Sequence, residues 1–207
     1  MTRAGRQERL MSALPLGVQP GRRGRRSAEL VVLEGLRIRG WEHLLFVECG
    51  DGWVAEEAWR RMGKGYVCGL DRSSSVVALA TELRAVPGKL EFKTWDGRCV
   101  PYPDEFFDSV VSQCDLRRWL EPVSVLREIR RVVRPGGEVS LVEVQQGAGG
   151  GPVSAGPDWR RLVEQAGLLL HEASIPSVGE DVVAGHDRRP ARMLCARRAS
   201  AAPGAIP

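Results

Sequence analysis

The chain has 207 residues, 43% of them hydrophobic, which is enough for one sizeable core but short for two domains. Its formal charge of +4 comes from residues 1–26, where seven arginines (Arg3, Arg6, Arg9, Arg22, Arg23, Arg25 and Arg26) face the single Glu8; the other 23 basic and 25 acidic residues leave a nearly neutral body. No apolar run approaches the roughly 20 residues of a membrane span, and the arginine-rich start lacks the apolar stretch of a signal peptide. The five cysteines, at 49, 68, 99, 114 and 195, are odd in number and form no Cys-x-x-Cys pair, which argues against both a disulfide framework and a zinc site. These features predict a cytoplasmic protein with reduced thiols, no metal and no membrane segment.

In chain order, residues 1–26 read as a basic, flexible arm, with the folded domain over 27–198 and a short tail over 199–207. Such an arm can contact a phosphate backbone, although a solvated tail is the commoner fate of a charge run. Ser27 caps a predicted helix over Ala28–Leu36. Leu44–Val47 reads as a buried strand, Ala55–Met62 as a helix, Gly65–Leu70 as a second strand closed by Asp71, and Ser73–Ala85 as a helix. Leu90–Lys93 and Ser109–Ser112 are the third and fourth strands. Val123–Val133 is strongly amphipathic: Val125, Leu126, Ile129, Val132 and Val133 alternate at helical spacing with Arg127, Glu128, Arg130 and Arg131. It should stop at Arg134-Pro135-Gly136-Gly137, a turn before the fifth strand at Val139–Val144. A glycine-rich connector over Gly147–Gly156, a helix over Trp159–Gly167 and paired terminal strands at Leu168–Ala173 and Arg192–Arg197 complete the pattern. This βαβ alternation predicts an α/β fold: a doubly wound, mainly parallel sheet with helices on both faces.

In such a sheet a ligand sits beyond the carboxyl ends of the strands, near the point where the strand order reverses. The first strand runs into Glu48-Cys49-Gly50-Asp51-Gly52, a glycine turn that lets backbone approach a ligand and aims the next helix's N–H groups at it. Asp71 lies 19 residues after Gly52, about the spacing at which an acid accepts from ribose hydroxyls; the alternative is a turn or capping aspartate beside Ser73. Asp96, in Thr94-Trp95-Asp96-Gly97, could accept from an exocyclic amine with Trp95 or Arg98 flanking a base, or simply form a turn.

Taken together these residues resemble the class I S-adenosylmethionine-dependent methyltransferases, in particular those acting on small molecules. Cys49-Gly50-Asp51-Gly52 resembles the family's first motif, Gly69-Leu70-Asp71-Arg72-Ser73 the acidic end of its second strand, and Trp95-Asp96-Gly97 its adenine-side motif. Residues 100–111, from Val100-Pro101-Tyr102 to Ser109-Val110-Val111, are similar to the entry into its fourth strand, and residues 126–137, ending in Arg134-Pro135-Gly136-Gly137, to the helix and turn before its fifth. The resemblance implies a Rossmann-like seven-stranded sheet with an antiparallel last strand, and S-adenosyl-L-methionine held over Glu48, Cys49, Gly50, Asp51 and Gly52. It also implies Asp71 and Arg72 at the ribose, Asp96 and Gly97 at the adenine, and Gln113 and Cys114 at the methyl end, with Asp115 as the candidate base.

Two departures from the family bear on this. Phe46 stands where the family usually has an acid and Glu48 where it has glycine, so Glu48 either supplies the displaced carboxylate or crowds the methionine half of the site. Arg117 and Arg118 stand where many relatives have histidines. Two other readings remain open on sequence: a degenerate member that binds a partner or nucleic acid through the basic arm, and a nicotinamide-dependent oxidoreductase, since Gly50-x-Gly52-x-x-Ala55 also fits a dinucleotide fingerprint. His43, His171 and His186 read as structural.

Overall fold

The computed structural model describes residues 33–36, 38–112, 119–144, 158–171 and 191–200. The arm over 1–26, the Ser27 cap and most of its helix, residues 113–118, the connector over 147–156, His186 and residues 201–207 lie outside them.

The described chain alternates strand and helix in the order expected: β1 (His43–Val47), α1 (Trp53–Met62), β2 (Tyr66–Asp71), α2 (Ser74–Arg84), β3 (Leu90–Thr94), β4 (Phe107–Ser112), α3 (Pro122–Val132), β5 (Val133–Val144), α4 (Trp159–Gln165), β6 (Leu169–His171) and β7 (Ala191–Arg197). The strands form one seven-stranded sheet ordered β3-β2-β1-β4-β5-β7-β6. β1 to β5 are parallel, and β7 runs antiparallel between β5 and β6. The order reverses between β1 and β4, so their carboxyl ends open a crevice at that point.

Each face of the sheet is covered, because successive residues of a buried strand point to opposite sides and both sides are apolar. Leu45 and Val47 of β1 pack with Val125, Leu126 and Ile129 of α3 and Val163 of α4. Leu44 and Phe46 pack the other way, with Val54, Ala55 and Ala58 of α1 and Val77 and Ala80 of α2. The apolar stripe read from the sequence of 123–133 is therefore the face that α3 buries.

Two boundaries differ from expectation. Helix α1 starts at Trp53 rather than Ala55, because Gly52, at φ 76, turns the chain straight into the helix. The Pro135-Gly136-Gly137 segment does not separate α3 from a strand beginning at Val139; β5 is already paired at Val133. Phe107 faces Val133 but Ser109 faces Glu138, so two steps along β4 match five along β5, and the glycines lie in a bulge inside the strand. Gly136 takes φ 77 there, and a Cβ on Gly137 would lie 2.7 Å from the Asp108 carbonyl oxygen.

The carbonyls at the end of α3 have no intrahelical partners. Arg198, just beyond β7, supplies them: its Nη1 donates to the carbonyls of Arg130 (3.1 Å), Arg131 (3.1 Å) and Val133 (2.7 Å), and its Nη2 pairs with Glu105 at 2.7 Å. Arg198→Ala should destabilise the domain by about 2 kcal/mol, since several partly buried carbonyls lose a charged donor at once. Thermal or urea unfolding reads this directly, and an unchanged midpoint would mean that water replaces the guanidinium without cost.

Candidate functional site

At the carboxyl end of β1 the chain leaves the sheet in two left-handed steps, Glu48 at φ 58 and Gly50 at φ 59. For glutamate this conformation costs about 1 kcal/mol, for glycine nothing. Cys49 N–H still donates to the Leu70 carbonyl at 2.9 Å, prolonging the β1–β2 ladder by one bond. Asp71, ending β2, then organises the turn. Its Oδ2 accepts the Gly50 N–H at 3.1 Å, and its Oδ1 accepts the Ser73 N–H at 2.9 Å. Ser73 in turn caps α2, its Oγ accepting from Val76 N–H at 3.4 Å. Asp71 is thus a turn aspartate beside a capping serine, the second of the two readings weighed on sequence, and its carboxylate keeps lone pairs to spare.

The two glycines of the turn serve different ends. A Cβ on Gly50 would meet nothing within 4 Å, so the backbone there borders open space. A Cβ on Gly52 would strike Phe92 Cε1 at 2.4 Å and Ala80 Cβ at 3.2 Å. Gly52 is therefore required by the packing of α1 against β3 and α2, whereas no such packing constrains Gly50. Asp51 bonds to both α1 and α2. Its Oδ1 accepts the Trp53 N–H at 3.1 Å, and its Oδ2 pairs with Arg84 at 3.3 Å, while Arg84 Nε donates to the Asp51 carbonyl at 2.8 Å. Arg84 further pairs with Glu56 of α1. Sequence reading missed Arg84, which clamps the glycine turn from the last turn of α2; a contact 33 residues away leaves no local signal.

Glu48 and Arg72 meet across the strand ends, Nε to Oε1 at 2.9 Å, with the Glu48 side chain 12% exposed and Arg72 37%. The Arg72 stem lies against Gly97, where a Cβ would come within 2.8 Å of its Cδ. Phe46, where the family usually has its acid, is 2% exposed in the core. Cys49 is partly buried; burial, reinforced by Asp71, holds its thiol well above the usual range. Burial likewise pushes Cys68 up to about 11. Asp96, in the exposed loop after β3, accepts the N–H groups of Arg98 and Cys99 on its Oδ1, both at 2.8 Å, and these bonds lower its carboxyl below the ordinary value. Trp95 beside it is 5% exposed and packs into the core rather than lying open to a base.

The structure therefore brings Glu48, Gly50, Asp71, Arg72, Asp96 and Gly97 to or just beyond the ends of three adjacent strands, β1, β2 and β3. It assigns Asp51 and Gly52 to the architecture of the turn. Gln113, Cys114 and Asp115, with Arg117 and Arg118, lie outside the described residues. Among the described residues, no group of three or more His, Cys, Asp or Glu could hold a metal ion, the four cysteines are free thiols, and no helix is long and apolar enough to cross a membrane.

Residues 45–141 match the methyltransferase domain family model, and they span this whole arrangement from β1 to β5. Over these residues the chain is similar to methyltransferase domains. The chain is 33% identical over 103 residues to a demethylmenaquinone methyltransferase of Bacillus licheniformis, covering 49% of this chain and 44% of that protein. It is 28% identical over 160 residues to a phthiotriol/phenolphthiotriol dimycocerosates methyltransferase of Mycobacterium leprae, covering 77% and 54%. The chain spans about half the length of the curated relatives it matches. Among solved structures, a SAM-dependent methyltransferase from Aquifex aeolicus superposes with a TM-score of 0.67 at 20% identity, covering 95% of this chain and 98% of that one. The [4+2]-cyclase SpnF does so with 0.66 at 23%, covering 85% and 82%. Both likenesses concern the fold, and a cyclase on it is a reminder that chemistry resides in the site.

Proposed function

We propose that the protein is an S-adenosyl-L-methionine-dependent methyltransferase that works in the cytoplasm on an apolar small-molecule acceptor of the quinone or lipid class. The observation that carries the cofactor is the Asp71 carboxylate, fixed at the end of β2 by the Gly50 and Ser73 N–H groups, beside the open space over Gly50. Asp71 would hold the ribose hydroxyls, Asp96 and Gly97 the adenine edge, and the Gly50 backbone would lie against the amino-acid half, with Glu48 supplying the carboxylate absent at Phe46. Gln113 and Cys114 would line the methyl end, with Asp115 as candidate base. When bound, the cofactor supplies an electrophilic methyl group on a sulfonium. Displacement from such a carbon needs donor and acceptor in line and water excluded, so alignment can supply much of the catalysis and a base is optional. The acceptor class is supported by the relatives, which are named for menaquinone and phthiotriol chemistry.

Calorimetric titration with S-adenosylhomocysteine, S-adenosylmethionine and NAD tests this reading. Saturable binding of the two adenosyl compounds without NAD is the expected result, and binding of NAD alone would replace the methyltransferase with an oxidoreductase. Glu48→Gly should relieve about 1 kcal/mol of backbone strain and yet weaken S-adenosylhomocysteine binding by about tenfold or more, because an ammonium would lose a charged partner. Tighter binding by Glu48→Gly would show instead that this side chain obstructs the pocket.

A further inference from the structure

We propose that Arg84 is a positioning residue for cofactor binding: from the end of α2 it fixes the Gly50-Asp51-Gly52 turn in one backbone conformation before a ligand arrives. This rests on the cofactor reading above and concerns a side chain that acts through the turn rather than by touching the ligand.

An aspartate between two glycines is a weakly restrained backbone, because glycine reaches either sign of φ at no cost. Here both glycines hold positive φ, 59 and 76. The turn's own backbone closes it through the Gly52 N–H, which donates to the Cys49 carbonyl at 3.1 Å. Two charged side chains grip it from outside: Asp71 accepts the Gly50 N–H at 3.1 Å, and Arg84 Nε donates to the Asp51 carbonyl at 2.8 Å. The Gly50–Asp51 segment is thus held at its N–H end from β2 and at its carbonyl end from α2. Rotation of the peptide joining Asp51 to Gly52 changes a glycine φ, which costs little by itself, so the bond from Arg84 is what resists it. Arg84 cannot easily swing aside. Its side chain is 11% exposed and is also paired with Asp51 Oδ2 at 3.3 Å and with Glu56 of α1.

A turn that samples several conformations must be ordered when a ligand binds, and that ordering subtracts from affinity; a turn already fixed avoids the loss. The opposing account is that Arg84 only neutralises Asp51 and Glu56 and ties α1 to α2. In that case its removal lowers stability, while the folded molecules keep their affinity for every ligand. The two accounts separate by ligand. Adenosine would use the Asp71 and Asp96 end of the site and lacks the amino-acid half that lies against Gly50, so a loosened turn should penalise S-adenosylhomocysteine and spare adenosine.

The test titrates S-adenosylhomocysteine and adenosine into the full chain and into Arg84→Gln, Arg84→Lys and Glu56→Gln, each shown to be folded by its melting curve. Arg84→Gln should weaken S-adenosylhomocysteine by about tenfold or more, the effect of a turn that holds its binding conformation about one tenth of the time, and adenosine by no more than about threefold. Arg84→Lys, with a donor but no planar fork, should recover part of the loss. Glu56→Gln removes the tie to α1 and should keep the preference of the unaltered protein. A preference preserved in Arg84→Gln, a loss shared equally by both ligands, or a selective loss reproduced by Glu56→Gln overturns the proposal. If Arg84→Gln does not fold, Arg84→Lys is read in its place: a reduced preference supports the proposal and an unchanged one overturns it. If the unaltered protein binds neither ligand, the cofactor reading falls and this proposal with it. If it binds both and Arg84→Gln keeps the preference, the cofactor reading stands and only this proposal falls.

Discussion

Gly50→Ala is expected to abolish measurable cofactor binding with little loss of stability, and Gly52→Ala to do the reverse. At Gly50 the added methyl meets no protein atom within 4 Å, so its cost to the fold is the left-handed backbone alone, about 1 kcal/mol. It would instead occupy the space where a ligand must contact the chain. At Gly52 the methyl would lie 2.4 Å from the Phe92 ring and 3.2 Å from Ala80, again at positive φ. Overpacking plus backbone strain should sum to about 3 kcal/mol, lowering the melting temperature by about 6–12 °C in a domain of this size. Paired melting curves and S-adenosylhomocysteine titrations distinguish the two. Phe92→Leu should rescue part of the Gly52→Ala loss, because the ring is what the methyl strikes. Equal stability losses at both positions would refute the division of labour between them.

Asp71→Ala should weaken S-adenosylhomocysteine binding by about 2–3 kcal/mol, or roughly 30- to 150-fold. Two effects combine: the Gly50 N–H loses its carboxylate partner, loosening the turn that borders the ligand, and the ribose loses an ionised acceptor. A 2′-deoxy analogue separates them. It should bind weakly to the unaltered protein and be less affected by Asp71→Ala than the full nucleoside, since one of the two contacts is already missing. If both nucleosides lose affinity equally, Asp71 acts only through the backbone turn, as its bonds to Gly50 and Ser73 would by themselves allow.

Much of the framework was legible in local pattern. Buried strands with apolar residues on both faces mark a covered parallel sheet, and the helical spacing of Val125, Leu126, Ile129 and Val132 marked the buried stripe of α3. The glycine turn, Asp71 and Asp96 stood out because polar residues directly after apolar strands fall at the carboxyl ends of the sheet. The bulge in β5 was not legible, since proline and paired glycines terminate a helix and kink a strand with the same residues. The left-handed backbone at Glu48 was equally hidden, because nothing in its neighbours favours that conformation for a glutamate.

The order of hydrophobic and polar segments thus determined the sheet, its two covered faces and the end at which a ligand would bind, all consequences of short-range periodicity. How each turn residue is used was decided only by tertiary packing. Gly50 and Gly52 are alike in sequence, yet one borders open space and the other lies beneath the ring of Phe92, far along the chain. Asp51 and Asp71 are both aspartates at strand-end turns, yet Arg84 pairs with one while the Gly50 N–H holds the other. Such contacts depend on where distant chain segments come to rest, and no local pattern encodes them.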